Sequence, residues 1–196
     1  MLLTLDVISG ICWSIVYIIA NIIGFRCKTW CIPKVAVCTN FSWEFLVVTY
    51  RLLTGQIHSF AFLIQFVWLI LDIGILTTWL LYDTRDRRYA LRNILLFILV
   101  FASIYLIACR QAMWEYVAFI INLLMSILFV YRLYKDPQKK WISFTVGICK
   151  MLGTMAATLR CGILCCNSLI AWLGGLCFIA DVLYITLLIG NERRKR

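Results

Sequence analysis

The chain has 196 residues, of which 64% are hydrophobic and only 14% charged, and its mean hydropathy is +0.94. So little polar material cannot cover a water-soluble globule, which excludes an ordinary soluble domain and points to a polytopic membrane protein. The formal net charge of +10 is not a nucleic-acid signature, because the basic residues sit in short blocks between apolar runs, the distribution that orients membrane helices.

Seven apolar runs are long enough, or nearly so, to cross about 30 Å of hydrocarbon at roughly 1.5 Å per residue. They cover Leu3 to Phe25, Val35 to Leu53, His58 to Tyr82, Leu91 to Cys109, Ala112 to Tyr131, Trp141 to Leu159 and Ser168 to Ile189. The first run has no basic segment before it and no small-residue cleavage site before Arg26, so it reads as a span and not a cleaved signal. Lys150 and two glycines interrupt the sixth run. Charge placement nevertheless requires it to cross. Fifteen of the 19 basic residues lie after runs one, three and five or in the tail, among them Arg26, Lys28, Arg85, Arg92, Lys139, Lys140 and Arg194. The positive-inside rule puts these blocks in the cytoplasm. Only Arg51, Arg110 and Arg160 lie in the opposite linkers.

The expectation is an all-α bundle of seven transmembrane helices, forming one domain over residues 1–196, with the N-terminus outside and the C-terminus cytoplasmic. Short linkers predict that sequential helices are antiparallel neighbours. Asp136-Pro137 reads as a turn between helices. Cys27 and Cys31 are expected in a basic loop, and Cys161, Cys165 and Cys166 in another. With one histidine, His58, and no Cys-x-x-Cys pair, no zinc site and no other metal or cofactor site is expected. Trp79, Tyr82, Tyr131 and Trp141, near run ends, read as interface anchors.

The second run contains Asn40-Phe41-Ser42-Trp43-Glu44-Phe45. A glutamate there costs roughly 2.5 to 3.5 kcal/mol at a helix centre, so it should be paired, face a cavity or do chemistry. Glu44 lies about nine residues, or about 14 Å, from the cytoplasmic end of its run. Asp72, Asn122, Lys150 and Asp181 fall within about one helical turn of the same depth. Five helices thus place polar groups in one slab near the midplane. Helical spacing adds aromatic neighbours to the acids: Trp43 and Asn40 beside Glu44, Trp68 beside Asp72, Phe178 and Tyr184 beside Asp181. Lys150 suits an ion pair with either Asp72 or Asp181. Three acids and one base leave at least one carboxyl without a cation. A neutral carboxylic acid in an aromatic-lined pocket is a proton donor.

Such a donor suits an isoprenoid substrate. Protonating an epoxide or alkene makes a carbocation, aromatic faces stabilise it by up to about 2 kcal/mol each, and exclusion of water delays its quenching. The Asn-x-Ser-Trp-Glu-Phe stretch (Asn40 to Phe45), with the Asp-x-x-Tyr of Asp181 to Tyr184 in the last run, resembles the small seven-helix terpene cyclases of fungal meroterpenoid and indole-diterpene pathways, which include the pyripyropene and paxilline cyclases. The resemblance implies cyclisation of a farnesyl or geranylgeranyl chain, usually carrying a terminal epoxide, on an aromatic or polyketide head, and assigns the two essential acids to Glu44 and Asp181. Asn40, Trp43, Trp68, Asp72, Asn122, Lys150, Phe178 and Tyr184 are the expected substrate-binding set. Aspartate-rich motifs of diphosphate-ionising cyclases are absent from the sequence, which favours protonation without metal. The expected partners are a lipophilic prenylated small molecule and the lipid bilayer, with no nucleic acid. The expected location is the endoplasmic reticulum in a fungus or the plasma membrane in a bacterium. A proton-coupled transporter is the competing reading, since midplane acids also bind transported ions, although no internal repeat is visible. A retinal-type receptor is less suited, because the last run has no lysine for a Schiff base.

Overall fold

A computed structural model describes residues 2–82, 87–108, 112–135 and 143–193. Seven α-helices and no strand occur among them: α1 (Leu2–Cys27), α2 (Lys34–Leu53), α3 (Phe60–Tyr82), α4 (Arg87–Ala108), α5 (Ala112–Lys135), α6 (Phe144–Thr158) and α7 (Ser168–Arg193). A π-helical turn, Leu159–Leu164, prolongs α6. Arg85, Arg110, Lys139, Lys140, Trp141, Arg194, Lys195, Arg196 and the expected Asp136-Pro137 turn lie outside the described residues.

The packing is inverted relative to a soluble protein. Large apolar side chains such as Ile11, Leu63, Ile70, Leu95, Ile127 and Ile179 cover the outside, while Asn40, Glu44, Asp72, Lys150 and Asp181 are buried. In water that arrangement would be unfavourable on both counts; in lipid it is the expected one. Five spans, starting at Leu2, Phe60, Trp114, Phe144 and Ser168, are long and apolar enough to cross a membrane. The chain is therefore an integral membrane protein. The α2 helix falls short on composition because Lys34, Thr39, Asn40, Ser42 and Glu44 are polar. Its neighbours α3, α4 and α5 cover those groups.

Sequential helices are main packing partners in two cases, α2 with α3 and α6 with α7, while α1 with α6 and α5 with α7 pack as extensively without being consecutive. Among the described residues, α1 lies against α6 and α3, α2 against α3 and α4, and α7 against α5 and α6. Consecutive α1 and α2 do not pack extensively. Small residues and polar groups decide this arrangement, not linker length. Gly24 lets α1 approach α3 closely, since a Cβ there would stand 2.6 Å from Thr78 Cγ2. The same two helices are tied by Asn21, whose amide donates across to the Leu71 carbonyl at 2.9 Å.

The turn between α1 and α2 is tightly held. Lys28 adopts a left-handed φ of 50°, and Thr29 N–H closes on the Gly24 carbonyl at 3.1 Å, the 6→1 bond of a Schellman-type helix end. Arg132 of α5 reaches across and donates to the Trp30 and Cys31 carbonyls, both at 2.9 Å. Cys27 belongs to the last turn of α1, not to the loop. Cys161 likewise falls inside the π turn, where it is buried, and the loop begins only at Cys165. Trp79 is not an interface anchor: it is fully buried, with Tyr89 edge-on at 6.3 Å. Tyr131 remains exposed near the end of α5.

Candidate active site

The polar slab resolves into two clusters with a chamber beside them. The first cluster centres on Asn40. Its Nδ2 donates to Asp72 Oδ2 at 2.6 Å and to the Tyr17 hydroxyl oxygen at 2.7 Å. Three helices, α1, α2 and α3, meet through this single amide. The second cluster centres on Lys150 of α6. Its Nζ lies 2.8 Å and 3.0 Å from the two carboxylate oxygens of Asp181 on α7, and donates also to Ser126 Oγ on α5. All three ammonium donors are thereby used. Of the two pairings that the sequence left open, the structure has Lys150 with Asp181.

Glu44 belongs to neither cluster. It is 1% exposed, and its Oε2 has no hydrogen-bond partner among the described residues. It lines a chamber of about 140 Å³ together with Tyr17, Trp43, Trp68, Phe119 and Met125. Trp13, Tyr17 and Trp68 form a continuous aromatic wall, with centroid separations of 6.0 and 5.9 Å. The Trp68 indole is fixed by donating to Ser14 Oγ at 3.1 Å, and Ser14 in turn donates to the Gly10 carbonyl at 2.7 Å. On the opposite side Asn122 donates to Thr154 Oγ1 at 2.7 Å, which leaves Asn122 Oδ1 without a partner among the described residues. Trp43 Nε1 is in the same condition. Buried polar atoms are nearly always satisfied, so these atoms around a cavity are where an ordered water or a ligand group would bind.

Asn40, Trp43, Glu44, Trp68 and Asn122 all reach the chamber wall. Asp72 stands behind Asn40. Lys150 and Asp181 stand behind Trp13 and Thr154, the ammonium 5.8 Å from the centroid of the Trp13 ring. Tyr184 is buried against Phe129, ring edge to ring face at 5.3 Å, away from the chamber lining. Phe178 lies on the outer surface at 42% exposure. It precedes Asp181 by three positions, but the inward neighbour on that face is Cys177. Helical spacing puts Ser14, Tyr17 and Asn21 on one face of α1, and Tyr17 reaches the chamber wall from it. Nothing in the sequence signalled Phe119 or Met125, which gain their place only when α5 packs beside α2.

The chamber continues into a larger vestibule of about 420 Å³ towards the start of α1 and the end of α2, and Trp43, Trp68 and Phe119 line both. The vestibule walls carry Asp6, Arg51, Glu115 and Arg160. The π turn positions the last of these. An extra residue per turn re-aims side chains at the end of a helix, and π turns recur at functional sites. Here it places Arg160 Nε 2.7 Å from Asp6 Oδ1 and packs Gly162 on Ala171, whose backbone N would lie 2.8 Å from an added Cβ. An aromatic chamber with a buried carboxyl on its wall, continuous with a wider polar-rimmed space, is suited to a long apolar molecule with a polar end.

A family model of Pyr4-like transmembrane terpene cyclases matches residues 1–194. The chain belongs to this family. It is also similar to the Pyr4-family terpene cyclase mfmH of Annulohypoxylon moriforme, at 38% identity over 77 residues, which is 38% of this chain and 30% of that protein. No solved structure matches it.

Proposed function

We propose that the protein starts cyclisation by protonation, without metal, and that Glu44 is the acid. The observation that carries the reading is the solitary Glu44 carboxyl on the wall of the aromatic chamber. With a terminal epoxide, the Glu44 proton goes to the epoxide oxygen. The C–O bond to the more substituted carbon breaks with its electron pair leaving on oxygen, and a tertiary cation remains. Internal alkenes attack in turn, and the last cation loses a C–H proton to a carboxylate of the same layer, so no net proton is consumed. Tyr17, Trp43 and Trp68 face the cation path and supply ring faces. General acid catalysis of this kind contributes about 10²- to 10⁴-fold.

Asp181 has a different task in this scheme. An unbalanced Lys150 ammonium behind Trp13 would repel a cation in the adjoining chamber, and Asp181 cancels that charge at 2.8 Å. The substrate is a prenylated acceptor carrying a terminal epoxide or alkene. Residues 1–196 form one domain of seven crossings with the N-terminus outside, as the charge distribution favours, and sit in the endoplasmic reticulum of a fungal host or the plasma membrane of a bacterial one.

The test is to incubate membranes holding the wild type, Glu44→Gln or Asp181→Asn with an epoxyfarnesyl arene and its unepoxidised counterpart, and to analyse the products. Wild-type membranes should release cyclised product. Both variants should still insert in the membrane; Glu44→Gln should form product at least about 10²-fold more slowly, and Asp181→Asn should lose both product and stability because it strands the Lys150 ammonium. Full activity in Glu44→Gln would sink the assignment of the acid.

A further inference from the structure

Carboxylates and guanidinium groups around the vestibule do not balance locally. Arg160 is engaged by Asp6 at 2.7 Å, donates to Cys161 Sγ at 3.2 Å, and feels the Glu115 carboxylate as well. Both acids of the vestibule thus serve one arginine. Arg51, the other vestibule cation, makes a single 3.3 Å hydrogen bond, to Ser59 Oγ, and has no carboxylate within salt-bridge distance among the described residues. A guanidinium has five N–H donors in a planar fork, so Arg51 keeps most of its donors open beside an otherwise largely apolar space. Gln65 stands in the same wall, and its buried Oε1 has no partner among the described residues.

Volume gives these groups an occupant. The inner chamber, about 140 Å³, is smaller than the roughly 300–1,000 Å³ of ordinary ligand pockets, whereas the vestibule of about 420 Å³ lies within that range. A prenylated acceptor whose reacting tail reaches Glu44 must leave its head between α1, α2, α3 and α5, where Arg51 projects. We propose that the vestibule is the head-group subsite, and that Arg51 binds an acidic oxygen of the acceptor, a carboxylate, phenolate or enolate, thereby setting which prenylated molecules enter tail first. This deepens the cyclase reading and rests on it for the direction of the chain. A charge-assisted guanidinium contact is roughly twice as strong as a neutral one, enough to favour one head over another without touching the chemistry at Glu44.

The test separates binding from turnover. A benzoic acid bearing a saturated farnesyl chain cannot cyclise, and neither can its methyl ester; their affinities for purified protein are read from tryptophan emission, since Trp43 and Trp68 line the cavity. Maltoside micelles are used because they carry no phosphate to compete for Arg51. The acid should bind about tenfold more tightly than the ester to the wild type, the two should bind alike to Arg51→Gln, and Arg51→Lys should restore part of the difference. Equal binding of acid and ester by the wild type, or a preference that survives in Arg51→Gln, overturns the proposal. If added anionic lipid vesicles abolish the preference at concentrations below that of the acid, Arg51 is a lipid-phosphate site and the proposal also fails. A retained preference in a protein that cyclises no epoxide would count against the cyclase mechanism alone.

Discussion

Lys150 Nζ and Asp181 Oδ1 stand 2.8 Å apart in the middle of the bundle, both almost completely buried. The pair removes the midplane cation from competition, so Glu44 faces its chamber with no cationic partner among the described residues. Breaking a buried pair leaves a naked charge, which costs about 3–5 kcal/mol, whereas replacing both members by apolar groups is often neutral. Lys150→Met should therefore lower thermal stability in detergent sharply, and Lys150→Met combined with Asp181→Leu should recover most of it. The double variant also separates roles. If Asp181 matters only as a partner for Lys150, recovery of stability should bring back activity as well.

Asn40 donates to both Asp72 and Tyr17, so its neighbours must offer acceptors. Asp72→Asn keeps an acceptor oxygen in place and should melt close to the wild type. Asp72→Leu removes it and should cost about 1–3 kcal/mol, the usual penalty for stranding a buried polar group. Denaturation in mixed micelles measures both. Equal losses in the two variants would mean that charge at Asp72, and not hydrogen bonding, holds α2 to α3.

Gly153 supports the chamber wall from behind. A Cβ at this position would stand 2.8 Å from Trp13 Cδ1, so Gly153→Val must push the indole towards the substrate space. Turnover should fall by about tenfold or more and the product ratio should change, because small displacements near reacting atoms are costly. Gly175→Ala is the control, having no atom within 4 Å of the added carbon. Chromatography of the products from both variants decides the matter.

Cysteine labelling reads the topology. Cys27 is exposed near the charge-rich end, and Cys165 and Cys166 are exposed at the other. In single-cysteine variants in sealed, right-side-out vesicles, a membrane-impermeant maleimide should label Cys165 or Cys166 directly and Cys27 only after lysis. Cys31 should stay unlabelled at pH 7.5 in either case. Burial pushes its thiol up to about 12, so the reactive thiolate is nearly absent until the pH approaches that value. Direct labelling of Cys27 would contradict the proposed orientation.

The membrane class, the helix positions and the polar layer were all legible in the sequence, because each depends on local quantities. Hydrophobic length makes a span, and spacing of 3.6 residues puts Asn40, Trp43 and Glu44 on one side of α2. The depth of Asp72, Asn122, Lys150 and Asp181 follows from counting residues along single helices. Which helix touches which does not follow from counting. Only tertiary packing paired Lys150 with Asp181 instead of Asp72, turned Phe178 outwards, brought Tyr17 and Phe119 to the chamber, and left Arg51 and Glu44 without ionic partners among the described residues. Those outcomes depend on the rotation of each helix about its axis and on close approaches at Gly24 and Gly153. Both are set by side-chain fit between segments far apart in the chain, and a periodicity read along one helix carries no record of that fit.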